Sequence, residues 1–552
     1  MNVRIKSWVG QATPLFYLCA LVMVSSLLLG GGTRDGFVSD AILQLLAIPL
    51  LLVSLWKLFE VCLSRRAQAA LVFCLAIAVL PLLQLIPLPP WLWTALPGRA
   101  TLQTAFDIIG RGLPWMPISV SPQATWLSAL SLLPPVAIFL GTVLLAYRER
   151  RWLSLVLLAV GTVSVFIGLI QVAQGPESPW RFFQITNPSE AVGFFANRNH
   201  YAALLYALIL LATAWTVHAT VGAGAASHRR ELNTGQIVAS IGGFTLLVVL
   251  LAGEAMARSR AGLGLTILAL FAAFALGFSD RRAGPGITSN KVLFGAIALA
   301  VIFAVQYALY RILDRFAVDP VQDARLDFFR PTVEAARAYM PVGSGLGTFV
   351  PVYALFETPE GVLANYVNRA HNDVLEVWLE TGAVGLVLMG LFAIWFVRRA
   401  VQIWRSAPAQ AREIDWSLAR AATIVVALVI LHSFVDYPLR TGAMMAVMAF
   451  ACALLVEPPA SDEGREEPPL QIAAKQTRHR ERRRTELVPS PAPVGSPAAR
   501  DHGSAKSDVP PRSQDRRWGA DINWPKEWST PSKPGSPGEN DEPPSTSKET
   551  DK

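Results

Sequence analysis

The chain has 552 residues, of which 53% are hydrophobic and only 16% are charged, and its formal net charge at pH 7 is +8. A composition this apolar argues against a soluble enzyme of this length and favours a polytopic membrane protein. Four cysteines lie in or beside apolar runs without paired spacing, so the sequence indicates neither a disulfide framework nor a zinc site.

Apolar stretches long enough to cross a bilayer core, which takes about 20 helical residues, recur along the chain. The first follows the basic start MNVRIK and lacks a clear small-residue cleavage site, so we expect a retained span rather than a cleaved signal. About twelve transmembrane helices are predicted, near 14–32, 39–57, 68–87, 126–146, 153–173, 200–220, 237–255, 261–278, 292–310, 376–397, 418–435 and 440–456.

The orientation follows from lysine and arginine, which concentrate in cytoplasmic loops. With the N-terminus inside, every second loop is basic; these loops carry Lys57, Arg65, Arg66, the 148–151 cluster, Arg229, Arg230, Arg281, Arg282, Arg398 and Arg399. The periplasmic side then receives the long connections 88–125, 174–199 and 311–375. The turn MARSRAG places Arg258 and Arg260 on that side, where an arginine can bind a ligand or merely extend to the lipid headgroups.

Beyond residue 456 the composition changes to Pro, Ser, Glu, Lys and Arg, which predicts a disordered cytoplasmic tail over 457–552. Three regions are therefore expected: helices 1–3 and the first periplasmic loop (1–125), a transmembrane domain with its large loop 311–375 between helices 9 and 10 (126–456), and the tail. Both termini are expected in the cytoplasm.

The stretch HNDVLEVWLETGAVG (371–385) begins with polar residues and continues into an apolar, glycine-bearing helix. At about 100° per residue, Gly382 returns to within about 20° of His371 and Gly385 to within about 40°. The periodicity predicts a stripe that bears His371 and both glycines, where a helix or a lipid chain could approach closely. Histidine suits proton transfer from a hydroxyl, although a lone interfacial histidine also fits a structural role.

In this stretch His-Asn is followed by nine residues, a glycine, two residues and a second glycine. This spacing resembles the signature of the O-antigen ligases and the related polysaccharide polymerases. Four further segments are similar to this superfamily and follow its order along the chain: GFFANRNHYAALL (193–205), ARSRAGL (257–263), ARLDFFRPTVEAARAYMPVGSGLGTF (324–349) and HSFVDYPLR (432–440). The resemblance covers about 126–456.

The resemblance implies an all-α polytopic membrane glycosyltransferase of GT-C-like architecture in the bacterial inner membrane. Its donor would be a glycan on undecaprenyl pyrophosphate, and its acceptor a sugar of lipid A core or of a lipid-linked repeat unit, met at the periplasmic face. No cofactor, metal or nucleic acid is expected, and the sequence shows no DxD motif. Membrane lipids would be the other partners.

The resemblance assigns catalytic roles to Arg260 of the Ser-Arg turn, Arg325 of the large loop and the signature histidine, His371. Arginine suits a pyrophosphate because its guanidinium binds phosphate oxygens bidentately and stays charged. The predicted substrate-binding residues are Arg258, Arg330, Asn372, Asn197, Arg198, Asn199 and His200. For Asn197 and Asn199 a helix N-cap is an equal alternative, and the run Gly343–Gly347 is expected to turn the large loop back across the site.

The acceptor is left open among three classes, because a ligase, a polymerase and a protein O-oligosaccharyltransferase need the same donor site. The full histidine signature favours a ligase, whereas the segments at 193–205 and 432–440 look at least as much like polymerases. A transporter is disfavoured because the spans show no inverted repeat and no paired broken helices.

Overall fold

A computed structural model describes residues 12–33, 38–184, 186–221, 234–279, 324–358, 367–405 and 414–457. All of these belong to the first of two units of the chain, Met1–Glu486. The predicted ninth span, the tail beyond Glu457, and residues 311–323 and 359–366 of the large loop lie outside the described residues.

The described chain is helical apart from one short ribbon, in which β1 (Pro87–Leu88) pairs antiparallel with β2 (Met116–Pro117). A 3₁₀ turn spans Pro438–Arg440. The helices are α1 (Pro14–Leu29), α2 (Val38–Glu60), α3 (Arg65–Gln84), α4 (Pro90–Trp93), α5 (Ala100–Ile108), α6 (Pro122–Ser131), α7 (Leu133–Leu144), α8 (Tyr147–Gln174), α9 (Arg198–Val221), α10 (Thr234–Ala257), α11 (Arg260–Ser279), α12 (Ala324–Ala338), α13 (Phe349–Tyr353), α14 (Asp373–Arg405), α15 (Ile414–His432) and α16 (Gly442–Val456).

Eight of the described helices are long and apolar enough to cross a membrane, with α6 and α7 counted as one span. Three shorter apolar helices, α1, α11 and α16, accompany them. Every predicted span within the described ranges coincides with one of these eleven elements, so the prediction of an all-α multi-pass membrane protein is confirmed. The count of twelve stays a prediction.

The central helix of the bundle is α9, which packs against α10, α11 and α15. Its first half, NHYAALLYALILLA, is almost entirely apolar. In the most apolar 18-residue stretch of this helix, 83% of the residues are buried. Deeper in α9, the hydroxyls of Thr213 and Thr216 donate to carbonyls four residues back, which satisfies them within the helix. By contrast, only 22% of the residues in the most apolar 18-residue stretch of α2, of α3 and of α10 are buried, which leaves most of their apolar surface for lipid.

The long helix α14 is interrupted at Gly382, whose φ of 57° and ψ of −140° are not helical. Thirty-three residues in one helix would measure about 50 Å, well beyond a bilayer core. The interruption divides α14 into a short outer part, Asp373–Thr381, and a longer apolar part that follows Gly382.

The loop that contains the glycine run binds at this interruption. Ser344 N donates to Leu379 O at 3.0 Å and Gly345 N donates to Glu380 O at 2.9 Å, while Ala383 N donates to Pro341 O at 2.8 Å. The glycine run thus turns the loop back onto the interruption of α14. That it also crosses the site stays a prediction.

The predicted stripe through His371, Gly382 and Gly385 is wrong. His371 precedes α14 and has a φ of 52°, and Gly382 breaks the helix, so a constant rotation per residue does not relate the three positions. Gly382 contacts backbone of the loop at Pro341 and Gly343 instead of offering a smooth groove.

The connection between α3 and α6 packs against the same region. The Gln84 side chain donates to Glu380 O and accepts from Leu346 N, both at 2.9 Å. Arg99, which is buried, donates to the carbonyls of Ile118 and Gly343 and lies over the Tyr339 ring at 5.1 Å. The two long connections and the outer part of α14 thus form one layer above the bundle.

We expect Gly382→Ala to destabilise the protein by about 1–3 kcal/mol or more, because alanine would be strained at this φ and its Cβ would lie 2.2 Å from Pro341 O. The matched control is Gly390→Ala in the same helix, where nothing lies within 4 Å of the added Cβ. Thermal unfolding of the detergent-purified chain measures both. Equal melting temperatures would contradict the proposed role of Gly382.

Candidate functional site

Four segments distant in sequence meet at one end of the bundle. They are the first turns of α9, α11 and α14 and the residues that follow α15. We call this end the site end. All five segments that resemble the ligase superfamily contribute residues there: 193–205, 257–263, 371–385 and 432–440, together with 324–349 through Phe328.

The pair His371 and Asp436 forms the centre of the site end. His371 Nδ1 lies 3.0 Å from Asp436 Oδ1, the Asp436 side chain is fully buried, and the His371 side chain is 22% exposed. The imidazole stacks on Phe328 at 6.1 Å and meets the Tyr437 ring edge-on at 4.9 Å. The carboxylate and two rings thus hold the histidine while leaving part of it accessible.

The buried Asp436 is also bound to the central helix. Asn199 Nδ2 donates to Asp436 Oδ2 at 2.5 Å, and Ser259 Oγ donates to Asn199 Oδ1 at 2.8 Å. Ser259 Oγ also accepts from Gly262 N at 2.9 Å and so caps the start of α11. A continuous hydrogen-bonded chain therefore runs from Ser259 through Asn199 and Asp436 to His371.

Backbone strain occurs at two positions in this site. In the described part of the chain, Arg258 and His371 are the non-glycine residues with positive φ, at 51° and 52°. Such conformations cost free energy and persist where the surrounding structure enforces them, often at functional sites. Both residues belong to the set predicted from the sequence.

The arginines at the start of α11 are exposed. Arg258 and Arg260 flank the buried Ser259, and Arg260 is the first residue of the helix. The N-terminus of a helix carries a partial positive charge that adds to theirs. This terminus is linked to His371 by the hydrogen-bonded chain, so the structure brings both arginines and the histidine to the same end.

Other predicted residues are engaged in the protein itself. Arg198 binds the Glu190 carboxylate, and Asn197 Oδ1 accepts from Asn199 N at 2.8 Å, so Asn197 caps α9 as the alternative prediction had it. His200 is fully buried against the Tyr437 ring at 4.8 Å.

Asn372 links two of the segments. Its Oδ1 accepts from Leu375 N at 3.1 Å, which caps α14, and its Nδ2 donates to Phe434 O at 3.0 Å. These bonds hold the residue after His371 against the segment that carries Asp436. The predicted role of Asn372 in substrate binding stays a prediction.

The two predicted site arginines of α12 are placed differently. Arg330 is exposed and pairs with Glu334 at 3.0 Å, whereas the side chain of Arg325 lies outside the described part. Their predicted roles stay predictions.

Sequence reasoning assigned no role to Asp436, to Ser259 or to a buried cluster of Arg369, Asp373, Glu376, Glu380 and Arg440. Asp436 lies within HSFVDYPLR, a segment noted only for its resemblance. The three acids recur at i, i+3 and i+7, a spacing that places them on one helix face. That spacing in an apolar helix was the available signal.

Two groups beside the site have shifted pKa values. Burial, with Asp436 adding to it, raises the pKa of the Tyr437 phenol above its usual range, so the phenol stays neutral at physiological pH. Burial alone would lower the pKa of Arg440, but Glu380, Glu376 and Asp373 raise it above its ordinary value. The Arg440 guanidinium therefore stays charged.

Comparison with known proteins gives one family. Residues 245–407 match the model of a family described as O-antigen ligase. The match begins within α10, ends just beyond α14, and includes Arg258, Arg260 and His371. No curated protein matches the chain. Over this segment the match supports the resemblance to the O-antigen ligase superfamily, and it indicates a role in polysaccharide assembly.

The contact between Asn199 and Asp436 allows a test of the site's construction. We expect Asn199→Asp to destabilise the protein by about 1–3 kcal/mol, because a buried donor is replaced by an acceptor that faces a second carboxylate. Asn187→Asp should be nearly neutral, because the Asn187 side-chain oxygen accepts from Arg198 N at 2.9 Å and a carboxylate keeps that bond. Thermal unfolding of both variants in detergent would contradict the observed contact if their melting temperatures fell equally.

Proposed function

We propose that this protein is a membrane glycosyltransferase of surface-polysaccharide assembly. It transfers a glycan from undecaprenyl pyrophosphate to a sugar acceptor at the periplasmic face of the bacterial inner membrane, as an O-antigen ligase does. The observation that carries the proposal is the His371–Asp436 pair. Hydrogen bonds join this pair to the start of α11, which Arg258 and Arg260 flank. His371 and both arginines lie within the matched family segment.

The pair supports a role for His371 as general base. An ionised carboxylate only accepts hydrogen bonds, so Asp436 favours the tautomer in which Nδ1 carries the proton. Nε2 is then the basic nitrogen of the ring. As the acceptor hydroxyl attacks the anomeric carbon of the donor glycan, Nε2 takes its proton, and Asp436 stabilises the resulting imidazolium.

The arginines serve the leaving group. The bond between the anomeric carbon and the phosphate oxygen breaks, and its electron pair leaves with undecaprenyl pyrophosphate. Arg258 and Arg260, at the positive end of α11, stabilise the charge that develops on that oxygen. Arg325 and Arg330 of α12 are proposed to bind the same pyrophosphate, with Arg330 in the lesser role because its exposed side chain pairs with Glu334.

The distribution of basic residues supports a periplasmic site. Arg151 at the start of α8 pairs with Asp415 at the start of α15, and Arg399 lies near the end of α14, so all three lie away from the site end. Since basic loops stay in the cytoplasm, the site end faces the periplasm. Both chain termini are proposed to lie in the cytoplasm.

The first experiment is the surface-polysaccharide profile of a deletion strain, complemented with wild-type protein, with His371→Ala or with His218→Ala. His218 lies near the far end of α9 and serves as the matched control. We expect wild type and His218→Ala to restore glycan on lipid A core, and His371→Ala to leave core bare while polymerised glycan accumulates on undecaprenyl pyrophosphate.

The other outcomes separate the alternatives. Core that carries a single repeat, or loss of long exopolysaccharide with normal attachment, would identify a polymerase instead. Loss of glycan from proteins alone would identify a protein O-oligosaccharyltransferase. An unchanged profile on the gel and on proteins would reject glycan transfer and direct attention to transport.

A second prediction concerns Arg260. We expect Arg260→Ala to lower kcat/KM for the lipid-linked donor by about 10²–10³-fold, since removal of one transition-state donor has costs of this order. Arg260→Lys should lose less, because it keeps the charge but not the planar fork. The control is Arg398→Ala, an exposed arginine at the opposite end of the bundle. Equal rates for Arg260→Ala and the control would contradict the assignment.

A further inference from the structure

A cluster of five ionisable side chains, four of them buried, begins within two residues of the proposed base. Asp373, Glu376 and Glu380 share one face of the outer part of α14. Arg440 reaches all three: its Nη1 lies 2.9 Å from Glu380, and its other nitrogens lie 3.4 Å from Glu376 and 3.5 Å from Asp373. Arg369 adds a second cation, 3.5 Å from Glu376.

The placement of Arg440 argues against a role in binding the pyrophosphate. Its side chain is only 12% exposed, and its three nitrogens each face a carboxylate. An anionic ligand would have to displace protein carboxylates that are themselves almost fully buried. Arg440 therefore differs from the exposed Arg258 and Arg260.

Stability does not account for the cluster either. Removing charges from water costs free energy that ion pairing only partly returns, so a buried ion cluster contributes little net stability compared with apolar packing. Such clusters are better suited to fixing one arrangement of the chain. The question is which arrangement this one fixes.

The cluster joins the two short segments that hold the base and its carboxylate. Arg440 follows Asp436 by four residues, and the first of its acids, Asp373, follows His371 by two. Ser433 Oγ donates to Asp373 Oδ2 at 2.8 Å, and Asp373 N donates to Ser433 O at 2.9 Å. The two segments therefore meet along their length.

The contacts between these two segments also support the strained backbone of His371. A non-glycine residue at a φ of 52° needs support from surrounding contacts. The bonds of Asp373 and Asn372 to the 433–439 segment provide support on one side, and the ion cluster anchors the outer turns of α14 behind them.

We propose that Arg440 is a positioning residue for glycan transfer: by binding the three carboxylates of α14 it holds Asp436 against His371 in the geometry that proton transfer requires. This inference rests on the proposed function. Arg440 acts through His371 and contacts neither the donor nor the acceptor.

The test compares Arg440→Lys and Arg440→Gln with wild type and with Arg151→Gln, which removes an ion pair at the opposite end. The purified full-length chain in nanodiscs is assayed for kcat and KM with the lipid-linked donor, and for binding of undecaprenyl pyrophosphate alone. We expect Arg440→Lys to lower kcat by about 10-fold and Arg440→Gln by about 100-fold, losses no larger than the 10²–10⁴ that a general base contributes. KM and pyrophosphate binding should stay close to wild type, as should all properties of Arg151→Gln.

A double variant adds a readout that general damage to the fold would not reproduce. If Arg440 acts through the histidine, Arg440→Gln in a His371→Ala background should lower the residual rate no further. A multiplied loss would contradict the inference.

Three other outcomes would overturn it. A raised KM with weaker pyrophosphate binding would make Arg440 a ligand of the donor, and unchanged kinetics in both variants would remove the cluster from the reaction. Loss of both variants from the membrane would make the cluster a folding requirement. A wild-type chain that neither binds undecaprenyl pyrophosphate nor transfers glycan would reject the proposed function itself, an outcome distinct from failure of the Arg440 variants alone.

Discussion

The arrangement of the site depends on the burial of one carboxylate, that of Asp436. A buried acceptor must be given hydrogen-bond donors, because an unsatisfied one forfeits the solvation it had in water. Here the donors are Asn199 from the central helix and the His371 imidazole. The need to satisfy this carboxylate thus draws the start of α9, the residues after α15 and the entrance of α14 to a single point. Ser259, bonded to Asn199, adds the start of α11.

The apolar bundle and the polar layer above it have different structural roles. The buried face of α9 sets the position of its first turn, and there the chain changes from apolar residues to Asn199 and its partners. The interruption of α14 at Gly382 lets the same helix serve in both environments, because its freed backbone groups bind the loop at Pro341–Gly345. Loop backbone at this depth is stable only because those groups are paired.

The sequence was a good guide to the spans because their signal is local. A run such as that of α15 is apolar over its whole length, and hydropathy alone locates it to within a few residues. The pairing of His371 with Asp436 had no such signal, since the two lie 65 positions apart and neither lies in a regular helix. The predicted stripe failed for a related reason. Helical periodicity assumes one conformation throughout, and both His371 and Gly382 have positive φ.

The same comparison explains which site residues could be recognised. Arg258 and Arg260 were visible because arginines on the less basic side of a membrane protein contradict the usual bias, and both are exposed in the structure. Asn197 was ambiguous because a cap and a ligand use the same amide, and only its contact with Asn199 N resolves it. Asp436 could not be distinguished from any other acidic loop residue.

The division between buried and exposed charge suggests how such a site can handle a large lipid-linked substrate. The groups proposed to move a proton must be held within a fraction of an ångström, and the His371 ring is packed against Phe328 and Tyr437. The groups proposed to bind the pyrophosphate must admit and release a charged headgroup, and Arg258 and Arg260 are exposed accordingly. Ser259 lies between these arginines and is hydrogen-bonded to Asn199, which in turn donates to Asp436. Movement of the start of α11 would therefore alter the hydrogen bond that Asp436 accepts. The hydrogen-bonded chain would thus couple the proposed pyrophosphate site to the proposed base.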